Sequence, residues 1–155
     1  MTHTPLPDDL RGGLVAAVDD SPAAREGLRW AAGLAVALDR PLWVVSVWNF
    51  VTGDAPADQG PDTGPSLVAW QAEAERRLAD LVAEELGDAD VRTLVVHGNT
   101  APVLLAVSGL ADHLVVGSRG RGGFAGLLLG STSDQLVSHG RCPVTVVRHG
   151  GTTSS

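Results

Sequence analysis

The stretch His113-Leu114-Val115-Val116-Gly117-Ser118-Arg119-Gly120, continued as Arg121-Gly122-Gly123-Phe124-Ala125-Gly126-Leu127-Leu128-Leu129-Gly130-Ser131-Thr132-Ser133-Asp134, decides the fold. It opens with a short apolar run, His113 to Gly117, of the kind buried on both faces of a parallel sheet. It closes on Ser131-Thr132-Ser133-Asp134, which has the composition of a helix N-terminus. A glycine-rich loop between a strand's carboxyl end and a helix start is where open α/β sheets hold anions. Glycines let the backbone approach closely, the first N–H groups of the helix lack partners, and its dipole is positive there. The stretch therefore implies a phosphate-bearing ligand, with Gly117, Gly120, Gly130, Ser131 and Ser133 as candidate contacts. Arg119 and Arg121 have the charge to pair with phosphates. Gly122, Gly123 and Gly126 read as local flexibility.

On either side of this loop, strands and helices alternate along the whole chain. Leu14 to Asp19 reads as a first buried strand, and Ser21-Pro22 supplies an N-cap with proline at the first helical position of a helix running to about Leu38. Leu42 to Trp48 is a second strand, apolar on both faces. Phe50 to Pro65 is a long loop by composition. Ser66 then caps an amphipathic helix to about Leu86, and Val91 to Val96 is a third strand. A short helix from Thr100 to about Leu110, the strand at His113, the helix from Ser131 to about His139 and a last strand, Val144 to Val147, complete the series. Strict alternation predicts a doubly wound five-stranded parallel sheet, order 3-2-1-4-5, with helices on both faces. In that order the ligand crevice opens between strands 1 and 4, which brings Asp19 beside Gly117.

The kind of phosphate site is narrowed by an absence. All eleven basic residues are arginine, and the sequence contains no lysine. A P-loop needs its lysine at the β- and γ-phosphates, and a protein kinase needs a strand lysine for the same task. The loop is not Gly-x-Gly-x-x-Gly, so the dinucleotide fingerprint fails as well. What remains is recognition by backbone N–H groups, serine hydroxyls and arginine.

With these residues in view, the chain resembles the universal stress protein family in its ATP-binding branch. The resemblance rests on Gly117-x-x-Gly120 followed after nine residues by Gly130-Ser131, on Val18-Asp19-Asp20-Ser21, on Ala111 to Gly117 and on Cys142-Pro143-Val144-Thr145-Val146-Val147-Arg148. It covers roughly residues 12 to 148. It implies ATP with Mg²⁺ as ligand, the metal carried on the phosphates, with Asp19 accepting from a ribose hydroxyl and the Val47 backbone reading the adenine edge. It also implies a homodimer through the last strand, Val144 to Val147, whose pairing with its twin would hide unpaired edge groups. The family usually has a small residue where Asp20 stands. Two adjacent carboxylates repel a polyphosphate unless a cation intervenes. Ser46 departs from the histidine common in the family.

Composition sets the remaining bounds. A length of 155 residues with 44% hydrophobic content suits one globular domain, read as residues 12–148 between tails at 1–11 and 149–155. A formal charge of −7 argues against nucleic acid as a partner but leaves room for a nucleotide in one locally positive loop. No apolar run approaches the roughly 20 residues that span a bilayer, and the N-terminus lacks the features of a secretion signal, so a cytoplasmic location is expected. The single cysteine, Cys142, reads as a small buried hydrophobe. The histidines at 3, 97, 113, 139 and 149 show no metal-ligand spacing. Trp30, Trp43, Trp48 and Trp70 sit at core spacing.

No serine has both a nucleophile-elbow context and a histidine partner, and no general base stands out, so catalytic residues are not assigned. The expected activity is that of a nucleotide-responsive regulatory module with at most slow ATP hydrolysis. The alternatives are a dimeric interaction protein that binds no nucleotide, or an adenylyl-transferring enzyme. The latter normally carries a Ser-Gly-Gly-x-Asp-Ser or His-x-x-His loop where this chain has Asp19-Asp20-Ser21-Pro22. Gly120→Val is expected to block phosphate approach with the fold intact.

Overall fold

A computed structural model describes residues 5–50, 66–120 and 128–150. The elements in order are a short 3-10 turn (Asp8–Leu10), β1 (Leu14–Ala17), α1 (Pro22–Leu38), β2 (Leu42–Trp48), α2 (Leu67–Leu86), β3 (Arg92–His97), α3 (Thr100–Ser108), β4 (His113–Gly117), α4 (Ser131–His139) and β5 (Val144–Val147). All strand pairs are parallel, and the sheet order is β3-β2-β1-β4-β5, as the alternation predicts. The register sets Leu14 against both Leu42 and His113, so the three central strands start level.

Alternation along each strand divides the interior into two cores. Leu14, Ala16, Leu42, Val44 and Val115 point to one face, where Leu28, Ala31 and Ala35 of α1 and Leu78, Leu81 and Val82 of α2 cover them. Val15, Trp43, Val45, Leu114 and Val116 point to the other, under Leu104 and Val107 of α3 and Leu136 of α4. The β1–β3 crossovers run one way along the sheet and the later ones the other. Right-handed crossovers then place α1 and α2 on one face and α3 and α4 on the opposite one. Helix ends follow local chemistry. Ser21 and Ser66 cap α1 and α2 by accepting from Ala24 N and Ala69 N, and Asp39 closes α1 in the left-handed region at φ 52°.

Three sequence expectations need correction. The segment 1–11 is not loose at its inner end: Leu10 is fully buried in the second core, and the turn Asp8–Leu10 seats it there. At the other terminus, His149 Nδ1 lies 2.9 Å from Glu26 Oε1 and Gly150 N donates to Glu26 Oε2, so residues 149 and 150 are tied to α1. Trp30 is 44% exposed rather than core, because its position on α1 falls beside the buried stripe of Leu28, Ala31 and Ala35. The other tryptophans pack as expected. Trp43 and Trp48 are buried, and Trp48 stacks on Trp70 with centroids 5.9 Å apart and planes 5° from parallel. Trp48 Nε1 donates to Gln71 Oε1, and Gln71 Nε2 donates to Val95 O, which ties α2 to the sheet.

An ion-pair network joins α1 to α2. Arg25 Nη1 lies 2.9 Å from Glu85 Oε1, and Arg29 pairs with the second Glu85 oxygen. These guanidiniums hold the Glu85 carboxyl below its ordinary value of 4.5, Arg25 being the larger cause. A carboxylate whose pKa is depressed on folding adds stability above its unfolded pKa and loses it as the pH falls through the folded value. Glu85→Gln is therefore expected to cost about 1 kcal/mol at pH 7. Parent and variant should converge as the pH drops below 4.5, a comparison that paired urea melts across that range would make.

Candidate functional site

β1 and β4 lie side by side at the centre of the sheet, and the chain leaves them in opposite directions, β1 through α1 toward β2 and β4 through α4 toward β5. A crevice must open at their carboxyl ends. It forms a cavity of about 890 Å³, within the roughly 300–1,000 Å³ usual for small-molecule sites. Asp19, Val47, Gly117, Arg119, Gly120, Gly130, Ser131 and Ser133, the residues singled out from the sequence, all line it. Arg121, Gly122, Gly123, Gly126 and the segment 51–65 lie outside the described residues.

The floor is a set of short contacts between the two strand ends. Asp19 Oδ1 accepts from Ser21 N at 3.1 Å and from Ser21 Oγ at 2.6 Å. Ser21 Oγ also lies 3.1 Å from Arg119 O, so its single hydroxyl hydrogen serves either Asp19 or the β4 loop. Asp19 thus takes part in starting α1, the structural role expected of a carboxylate before a helix. Its Oδ2 sits over Gly120, where an added Cβ would lie 2.6 Å away. Gly120→Val would therefore displace the Asp19 carboxylate as well as fill the loop, and it does not isolate phosphate approach.

The glycines differ in what requires them. At Gly117 a Cβ would come within 2.7 Å of Ala24 N and 2.8 Å of Ala23 C, so the first turn of α1 demands a residue without a side chain. Gly130 is different. Its φ of −71° is open to any residue, and a Cβ would meet nothing nearer than 3.6 Å. Neither backbone strain nor packing within the described residues calls for glycine there.

Gly130 is the N-cap of α4, and it offers no side-chain cap. Gly130 N donates to Ser118 O at 2.7 Å, and the first intrahelical bond runs from Asp134 N to Gly130 O. The amides of Ser131, Thr132 and Ser133 precede that bond and so have no acceptor within the helix. Ser133 is buried, and its Oγ lies 2.9 Å from Ser118 O and 3.1 Å from Gly130 O, so its hydroxyl fastens the helix start to the end of β4.

On the far wall, β2 outruns β1. Val45 O accepts from Val18 N, and β1 pairing ends at Ala17 opposite Val45. Backbone groups two residues apart on a strand face the same neighbour, so those of Val47 point past the end of β1 into the cavity. The first turn of α3 contributes Thr100, and α2 contributes Trp70, Ala74 and Arg77. Thr100 was legible in principle, since it follows the carboxyl end of β3 as Ser131 follows β4. Among the described residues, no group of three or more His, Cys, Asp and Glu side chains is gathered as a metal site. Cys142 is half-buried, and burial raises its thiol pKa above the ordinary value.

A doubly wound α/β domain with a glycine-lined crevice at its central switch point is the class that fold and site define. Comparison with known proteins makes this specific: residues 13–148 match the model of the universal stress protein family. The chain is 33% identical over 142 residues to universal stress protein Rv2623 of Mycobacterium tuberculosis, covering 87% of this chain and 47% of that protein. It belongs to the universal stress protein family. The chain spans about half the length of the curated relatives it matches.

Solved structures share the fold. UspA of Lactobacillus plantarum superposes with a TM-score of 0.64 at 23% identity, over 89% of this chain and 99% of that one. A universal stress protein in complex with cAMP gives 0.60 at 22%, over 89% and 97%. A family protein of Arabidopsis thaliana with AMP bound gives 0.57 at 16%, over 93% and 96%. Among the described residues, no helix is long and apolar enough to cross a membrane.

If Gly117 is glycine because α1 presses on β4, Gly117→Ala should lower stability by about 2 kcal/mol, the usual cost of overpacking. A urea midpoint equal to that of the parent would show that α1 does not press there.

Proposed function

We propose that the crevice binds an adenine nucleotide, ATP with Mg²⁺ foremost, and that the protein is a nucleotide-responsive regulatory module. Gly130 carries this reading. A helix start whose first amides have no acceptor within the helix, a glycine that neither space nor φ requires, and a cavity of nucleotide size occur together at one point. In this reading the phosphates meet the amides of Ser131 to Ser133 and the backbone at Gly117 and Gly120, with Arg119 at the edge. Asp19 receives the ribose, and the Val47 backbone receives the adenine. That relatives of the same fold were solved with cAMP and with AMP supports the ligand class.

The donors available for charge stabilisation are amides, hydroxyls and arginines. In this reading no described residue serves to activate water, hydrolysis is at most slow, and occupancy rather than turnover is the output. The bound Mg²⁺ would offset phosphate charge. Homodimerisation through Val144–Val147 is part of the same proposal, supported by the position of β5 at the sheet edge, where among the described residues its backbone pairs with one strand, β4.

Titration calorimetry of Mg²⁺-ATP into nucleotide-free protein should give a micromolar dissociation constant, about −8 kcal/mol. Absence of heat and of thermal stabilisation at millimolar ATP would overturn the nucleotide reading in favour of an interaction protein. Gly130→Asp supplies the missing side-chain cap and places a carboxylate where the anion would sit. It should leave stability equal or slightly raised while weakening ATP by more than about tenfold. Undiminished binding by this variant would move the phosphates away from α4.

A further inference from the structure

Asp20 is the residue that the nucleotide reading explains least. It stands at the turn from β1 into α1 with φ 73°, in the left-handed region that aspartate and asparagine tolerate better than most residues. It lines the cavity next to Asp19, so two adjacent carboxylates share the crevice with the phosphates of the proposed ligand. Arg25, one turn into α1, also lines the cavity and meets Asp20 with two nitrogens, Nε lying 3.1 Å from Oδ1 and Nη2 bonding to the same oxygen. The opposite side of the same guanidinium is held from α2, with Nη1 2.9 Å from Glu84 Oε2 and 2.9 Å from Glu85 Oε1. Arg25 is therefore held between the β1–α1 turn and α2, and both Asp20 and Glu84 line the cavity beside it.

Resting on the nucleotide reading, we infer that the Asp20–Arg25 pair sets how many phosphates the site accepts, Arg25 cancelling the Asp20 carboxylate at the mouth. The charge balance makes the pair consequential. Asp20, Glu84 and Glu85 face Arg25 and Arg29, which leaves one net negative charge at this rim, and removing Arg25 would make it two. Repulsion from a fixed carboxylate grows with the charge of the ligand and vanishes for a neutral nucleoside. The pair thus acts on the phosphate end and leaves the base and ribose contacts alone. Arg25 is a positioning residue in this scheme, acting through Asp20.

The test compares adenosine, AMP and Mg²⁺-ATP binding to the parent, R25Q, D20N and the double variant R25Q/D20N. Asparagine keeps the left-handed turn and removes the charge, so D20N preserves the backbone. R25Q should weaken ATP about tenfold and AMP about twofold while leaving adenosine unchanged, and the loss should shrink in high salt. Adding D20N should return ATP to within about twofold of the parent. An equal loss for all three ligands would mean that Arg25 only holds α1 to α2, and no loss in R25Q would also overturn the inference. A double variant as weak as R25Q would mean that Arg25 meets the phosphates itself. A parent that binds none of the three overturns the nucleotide reading and this inference with it. A parent that binds, with an R25Q that fails the pattern, overturns only the role of the pair.

Discussion

The contact between the end of β4 and the start of α1 is the constraint on which the site depends. Gly117 has no side chain, so Ala23 and Ala24 descend onto the strand to a distance that a Cβ would forbid. That closeness fixes where α1 begins, and with it the turn at Asp19, Asp20 and Ser21. Ser21 then reaches the β4 loop through Arg119 O, and Asp19 comes to rest over Gly120. One close approach of helix to strand thereby draws two loops from distant parts of the sequence into a single crevice floor.

Much of this was legible in the chain. The strands were visible as apolar runs, and α1 and α2 announced their starts through Ser21-Pro22 and Ser66, which do accept the capping bonds. Sheet order followed from alternation and handedness, and order alone put Asp19 beside Gly117. What escaped reading has physical causes. Leu10 lies among prolines and acids with no periodic neighbour, so nothing local reveals that it fills the second core. Trp30 has the chemistry of a core residue and misses the core by one helical step. Gly117 and Gly120 also carry a packing requirement that no local pattern reveals, since a Cβ there would meet Ala23, Ala24 and Asp19 from the start of α1. The Asp20–Arg25–Glu84 chain joins positions separated by up to 64 residues, and no spacing rule marks such a bridge.

Charge is distributed with the same economy. The chain is acidic overall, but the residues lining the cavity include four carboxylates and four guanidiniums. Because every cation is arginine, each can hold several acceptors in one plane, as Arg25 does with Asp20, Glu84 and Glu85. An ammonium group has no such planar fork. The absence of lysine, which excludes a P-loop, thus also bears on how the rim of the crevice is held.

The division of the interior into two cores has an evolutionary side. Odd-numbered residues of β1 and β2 pack beneath α3 and α4, even-numbered ones beneath α1 and α2, and the sheet backbone lies between. Substitutions on opposite faces share few neighbours, so their costs should largely add, and each face can drift in sequence without waiting for the other. The crevice is the exception. It lies at the seam where Ala24 from one face and Leu104 from the other line the same space, so change there must satisfy both layers together. A lineage could renew either core piecemeal and still find the seam the slowest part of the molecule to alter.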